Sequence, residues 1–199
     1  MEYFEINEVE QLNLGIFANF DEDFDWVDMP WIDGVKITGE IRTPIQYNLK
    51  VPSRVQKRGW NPKNSNFFNT GGGMLLVSKH ILDSMKPLST HLTFYESIIK
   101  FKDTYLNEKY FTINLETSYA AANLQSSEFD SYFIKGQDDI RCFDKLILSQ
   151  KKLIKIPKKE HLFRLQESKS TLIISEYGKN LVEENGIIGV EFEPLEIAD

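Results

Sequence analysis

Three aspartates at alternating positions are the clearest candidates for chemistry in this chain. Asp21, Asp23 and Asp25 form a D-x-D-x-D pattern, and closely spaced carboxylates are typical ligands of Ca²⁺. A calcium loop of the EF-hand type also needs a sharp turn at its sixth position and a bidentate carboxylate at its twelfth. Trp26 and Ile32 occupy those positions. The pattern therefore predicts an exposed acidic loop and no metal site.

The single cysteine and the three histidines form no recognisable catalytic pattern. Cys142 could act as a nucleophile beside His80, His91 or His161. It lies, however, in the apolar sequence 140–143, where a cysteine usually packs as a small buried hydrophobe. The histidines are scattered and no cysteine pair accompanies them, which disfavours zinc, and no Gly-x-Ser-x-Gly elbow is present. Acidic residues are too numerous to exclude an acid/base pair, but no pair stands out. We expect no catalytic residue and no cofactor.

Two basic stretches and a glycine run are also candidates for ligand binding. The stretch from Lys50 to Lys63 includes Trp60, and basic residues beside an aromatic side chain can hold single-stranded nucleic acid. The net charge of −7 favours a solvated loop instead, and the same holds for the five lysines between Lys151 and Lys159. The three glycines at 71–73 lead into an apparent strand, so they predict a flexible connector and no phosphate loop.

The negative charge of the chain belongs to its first forty residues. They hold eleven Asp or Glu and one base, Lys36, whereas the other 159 residues hold 22 basic and 19 acidic side chains. Such an imbalance attracts a partner of opposite charge and speeds its encounter. The alternative is a solvated acidic surface without a partner.

Aromatic residues stand among these acids, and aromatic side chains are enriched in the centres of protein interfaces. The alternative is that they anchor the N-terminal part to the core. If the segment is an interface, its partner is a protein with a basic surface and not a nucleic acid. The predicted partner-binding residues are Asp21, Glu22, Asp23, Asp25, Trp26, Asp28 and Trp31.

Two successive units with the order strand, serine, helix, strand organise the C-terminal part. Ser78 and Ser175 each stand between an apolar strand and an amphipathic segment, where a hydroxyl can cap the helix N-terminus. This repeated order is common in α/β segments, and an internal duplication is the less favoured explanation. The flanking strands are expected at Met74–Val77 and Leu92–Phe101 in the first unit, and at Leu172–Ile174 and Ile187–Phe192 in the second.

Further apolar runs predict a mainly extended chain. Tyr110–Leu115, Ile140–Leu148 and Leu153–Ile156 have the composition of strands. The expected fold class is α+β, with a mixed sheet and few helices. The glycine run divides it into an acidic, strand-rich part at residues 1–70 and an α+β domain at residues 74–199.

The location follows from what the sequence lacks. The longest apolar runs are about four residues, whereas a membrane-spanning helix needs roughly 20. The first five residues are acidic and mixed, unlike a secretory signal. A single cysteine cannot form an internal disulfide, which fits a reducing compartment. We therefore expect a cytoplasmic protein without a membrane partner; its oligomeric state stays open.

The C-terminal half also resembles a known family. The stretches that carry the likeness have the order and spacing found in bacterial immunity proteins of polymorphic-toxin and contact-dependent inhibition systems, a family formerly described only as a domain of unknown function. The resemblance covers residues 74–197, and it implies a non-enzymatic protein that binds and neutralises a cognate toxin. The stretches are Leu75–Ser78, Tyr110–Leu115, Leu162–Leu165, Leu172–Glu176 and Gly189–Pro194.

Two other functions remain open at this point. One is an enzyme whose acid/base pair the sequence does not single out. The other is a regulatory interaction domain unrelated to toxins.

Overall fold

The computed structural model describes residues 1–7, 17–20, 43–51, 62, 65–70, 74–132 and 140–199. Within these ranges the chain is rich in strands and has few helices, which confirms the α+β prediction. The strands are β1 (Tyr3–Asn7), β2 (Phe17–Phe20), β3 (Ile45–Lys50), β4 (Phe67–Asn69), β5 (Leu75–Ser78), β6 (Leu92–Phe101), β7 (Thr104–Tyr105), β8 (Tyr110–Leu115), β9 (Ser118–Tyr119), β10 (Glu128–Tyr132), β11 (Ile140–Lys145), β12 (Ile147–Ser149), β13 (Leu162–Leu165), β14 (Ser168–Ser175), β15 (Glu191–Pro194) and β16 (Glu196–Ala198).

The described helices are short. They are α1 (Lys79–Met85), which continues into a 3₁₀ turn at Lys86–Leu88, then α2 (Gln150–Leu153) and α3 (Glu176–Glu184). None of the described helices is long and apolar enough to cross a membrane.

Two large mixed sheets form the body of the fold. In sheet I the strand order is β2-β3-β6-β8-β5-β4, and β7 pairs with β6; in sheet II it is β15-β1-β14-β13-β9. Two smaller pairings complete the described strands, an antiparallel one between β10 and β11 and a parallel one between β12 and β16.

The central core lies between the two sheets and includes α1 and α3. Val77 and Ile113 of sheet I, Ile174 of sheet II, Ile81 of α1 and Val182 of α3 all belong to this one cluster of buried side chains. Full burial of such a side chain contributes about 1.5–3 kcal/mol. The opposite faces of the sheets carry two further apolar clusters, so each sheet is apolar on both sides over part of its area.

Both predicted serine-led units are present. Ser78 directly precedes α1 and Ser175 directly precedes α3. The Ser175 hydroxyl accepts a hydrogen bond from the backbone N–H of Gly178, as predicted for a cap. The Ser78 hydroxyl does not cap α1: it is buried and makes no hydrogen bond with the described residues. The serines therefore share a position but not a role.

Three other local predictions were wrong. Ile154 follows α2 and lies in no strand, because Gln150–Leu153 forms a helix directly after β12. In the last unit the strand begins at Glu191 and not at Ile187. Cys142 is exposed. It lies in the separate β10–β11 pair, where Phe143 turns towards the core and the alternation of a strand directs its neighbour outwards.

Strands from both predicted parts of the chain share each large sheet. β1 pairs with β14 and β15, and β3 pairs with β6. The division into 1–70 and 74–199 stays a prediction, and the glycine run at 71–73 lies outside the described residues.

Candidate binding surface

Strand β6 lies in the middle of sheet I, and on one of its sides the central core covers Leu92 but leaves Phe94 and Glu96 accessible. It pairs with β8 on one edge and in parallel with β3 on the other. Ser97 and Ile99 point to the buried side, where the Ser97 hydroxyl lies 2.8 Å from that of Thr112. The alternate residues Phe94 and Glu96 are exposed on the opposite side.

Neighbouring strands add residues to this exposed side. Tyr105 of β7 is the cross-strand partner of Lys100, and Phe111 of β8 is the partner of Glu96. Directly opposed residues project from the same side of a sheet. We call this surface the β6 face; its residues are Phe94, Glu96, Ile98, Lys100, Tyr105 and Phe111.

The β6 face is rich in accessible aromatic side chains. Phe94 is 43% exposed and Tyr105 is 49% exposed. The rings of Phe94 and Phe111 meet edge to face, with 6.0 Å between their centroids. Lys86 Nζ lies 4.7 Å from the centre of the Phe94 ring, a cation–π arrangement. These contacts fix Phe94 in place although much of its surface stays open to solvent.

Charged residues border the β6 face. Lys109 Nζ lies 3.5 Å from a Glu96 oxygen. On α1, Asp83 accepts hydrogen bonds from both Lys79 and Lys86, which lower the pKa of its carboxyl group. Among the described residues, Lys100 makes no ion pair.

A serine and a histidine meet elsewhere in the fold, at the start of α3. The Nδ1 atom of His161 lies 2.9 Å from Ser175 Oγ, a pairing that could activate a nucleophile. Ser175 is completely buried, however, and its oxygen already accepts the N–H of Gly178. A substrate could not reach this oxygen, so the pair stabilises the helix start and the adjoining loop.

Two buried carboxylates also have structural partners. Glu160 is only 3% exposed and binds the Ser89 hydroxyl at 2.7 Å and the backbone N–H and hydroxyl of Thr90. Burial opposes its ionisation, but these hydrogen bonds outweigh that effect and lower the pKa of Glu160. Glu167 accepts Lys152 Nζ at 2.8 Å and the N–H of Ala121. Both carboxylates therefore hold loops against strands.

Comparison with known proteins identifies the family of this chain. The sequence matches the immunity protein family Imm11 over residues 39–196, most of the chain. The chain belongs to the Imm11 family. A search of curated proteins finds no match. The Imm11 match begins well before residue 74, so it also covers β3 and β4, which the residues that carried the resemblance did not include.

The predicted partner-binding residues of this Imm11 protein all lie outside the described residues; they are Asp21, Glu22, Asp23, Asp25, Trp26, Asp28 and Trp31. Their role stays a prediction. In the described part of the chain, no group of three His, Cys, Asp or Glu side chains is placed to hold a metal ion.

The β6 face was not predicted from the sequence. Its signal is the alternation of Phe94, Glu96, Ile98 and Lys100 along one side of β6. That mixture is also typical of an ordinary solvated strand. The face becomes distinctive only when the pairing of β6 with β7 and β8 adds Tyr105 and Phe111 to it.

Proposed function

We propose that this Imm11 protein binds and neutralises a cognate protein toxin made by the same cell, and that it does so by forming a complex and not by catalysis. The observation that carries the proposal is the Imm11 match over residues 39–196. The buried polar groups support it, since Ser175, Glu160 and Glu167 each have a structural partner.

The sequence adds a proposed attraction between the partners. The segment from Asp21 to Trp31 is acidic and aromatic, and we include it in the proposal as a region that draws a toxin with a basic surface towards the protein. Action in the cytoplasm, with no cofactor, nucleic acid or membrane involved, belongs to the same proposal.

Titration of a toxin with this protein tests the proposal. A toxin encoded beside the gene of this protein is the one to test, and its activity is measured while the protein is added. A stoichiometric inhibitor abolishes activity at a fixed molar ratio, and the two proteins co-elute from a sizing column. An enzyme that acts on the toxin would abolish activity at far lower molar amounts. Absence of a complex at micromolar concentrations would refute the proposal.

A further inference from the structure

We propose that the toxin docks on the β6 face, and that the toxin region seated there presents carboxylates around an apolar centre. This inference rests on the proposed function and adds to it the surface and the chemistry of the contact.

The centre of the β6 face has the composition of a protein interface. Phe94 and Tyr105 are large aromatic side chains with nearly half of their surface open. Ile98 is partly exposed on the same side of the sheet, and Phe111, also partly exposed there, packs against the central core. Interface centres are enriched in aromatic residues and surrounded by charge, and a few such residues carry most of the binding energy.

The charge around this centre is opposite to that of the whole chain. Among the described residues, Lys79, Lys86, Lys100 and Lys109 lie on or beside the face. The carboxylates Asp83 and Glu96 are there already engaged by lysines. Lys100 is left without an ion pair among the described residues. The chain as a whole carries a net charge of −7. A locally basic rim on an acidic protein is complementary to carboxylates on a partner.

The sheet holds the face in a fixed shape. β6 is hydrogen-bonded along both edges, to β8 and to β3, and the contact between Phe94 and Phe111 orients the exposed ring. A partner would therefore bind a preorganised surface and lose little conformational entropy on this side.

Other exposed apolar residues lack this context. Ile154 is 73% exposed after α2, Tyr177 is 54% exposed at the start of α3, and Ile188 is 54% exposed in the segment before β15. They lie on different elements, and single exposed hydrophobic residues are normal on protein surfaces. Ile154 therefore provides a control position for the exposed apolar residues of the face.

The experiment compares binding of the purified adjacent-gene toxin to the wild-type protein and to four variants. Phe94→Ala removes one aromatic ring from the centre of the face, and Lys100→Glu reverses the charge at position 100. Ile154→Ala is a truncation of an exposed apolar side chain outside the face, and Lys158→Glu is the same charge reversal at an exposed lysine outside the face. We expect Phe94→Ala to weaken binding about tenfold or more. Lys100→Glu should slow association roughly tenfold at low salt and much less at high salt, whereas the controls stay within about twofold. Thermal unfolding of each variant verifies its fold.

The outcomes separate this inference from the proposed function. If the wild-type protein binds the toxin and both face variants bind equally well, the β6 face is not the docking surface, although the proposed function stands. Faster association of Lys100→Glu means that the facing toxin surface is basic, which also overturns the inference. If Phe94→Ala is unfolded, the association rate of Lys100→Glu decides whether the toxin docks on the β6 face: slower association at low salt supports docking there, and an unchanged rate refutes it. If the wild-type protein forms no complex, the proposed function itself fails.

Discussion

Glu5 lies directly opposite Glu193 in the antiparallel pairing of β1 with β15. Burial raises the pKa of the Glu5 carboxyl group to about 7, and the negative charge of Glu193 adds to this effect. Asn7 Nδ2 donates a hydrogen bond to Glu193 Oε2 at 2.8 Å. The folded protein therefore favours a protonated Glu5 carboxyl group up to about pH 7.

This pair predicts a pH dependence of stability. The unfolded chain has the ordinary Glu pKa of 4.5 and the folded chain has a pKa of about 7 for Glu5. Between these values the folded state binds more protons, so the contribution of Glu5 to the free energy of unfolding falls as the pH rises. Glu5→Gln, which stays neutral, should be more stable than the wild-type protein at pH 8, by a margin that shrinks towards pH 5. Chemical denaturation at a series of pH values measures the free energy of unfolding of both proteins. A difference between them that does not change with pH would contradict the expectation.

The two serines at helix starts provide a matched pair of substitutions. Ser175→Ala removes a capping hydrogen bond and the contact with His161, so we expect a loss of about 1 kcal/mol in the free energy of unfolding. Ser78→Ala removes a buried hydroxyl that makes no hydrogen bond with the described residues, so stability should stay the same or rise. Denaturant titration compares the free energies of unfolding of the two variants. An equal loss in both would contradict the distinct roles of the two serine hydroxyls.

These serines also show how far the sequence predicts this fold. The positions of both helix starts followed from the apolar periodicity and the serine type. The bounds of β6 and β8 were also correct, because each is rich in β-branched and aromatic residues. Whether a hydroxyl caps its helix depends on its side-chain direction and its tertiary neighbours, which the local sequence does not specify.

The wrong predictions also arise because the local sequence does not specify the tertiary neighbours of a residue. Ile154 and Ile156 favour a strand by composition. They directly follow helix α2, however, and form no strand. Cys142 has an apolar local sequence, yet among the described strands β11 pairs only with β10, and Cys142 is exposed. The β6 face joins residues from three strands, so its shape depends on sheet pairing and is not visible in any one segment.

The buried hydrogen bonds of Glu160 to one loop predict a large loss of stability when this residue is replaced. Glu160→Ala would leave the Ser89 hydroxyl and the Thr90 N–H without their buried acceptor, so we expect a loss of about 2–4 kcal/mol in the free energy of unfolding. Glu184→Ala, at an exposed position of α3, is the control and should change stability by less than about 0.5 kcal/mol. Similar denaturation midpoints for the two variants would show that Glu160 does not anchor this loop.

The acidic segment predicts a kinetic effect on toxin binding. Replacement of Asp21, Asp23, Asp25 and Asp28 by Asn removes four negative charges. If the segment attracts a basic toxin surface, association should slow at low salt and change little at high salt, because salt screens exposed charges. Stopped-flow association rates at several salt concentrations test this, and a rate that does not change at low salt argues against attraction. The Lys100→Glu experiment concerns a different contact and has its own outcome.

Growth of toxin-producing bacteria tests the central claim most directly. Cells that produce the adjacent-gene toxin are compared with and without this protein, and cells that make the protein alone serve as the control. The proposed neutralisation predicts that growth is restored once the protein is made in at least the amount of the toxin. Continued growth arrest, in cells that contain the folded protein in excess over the toxin, would contradict it.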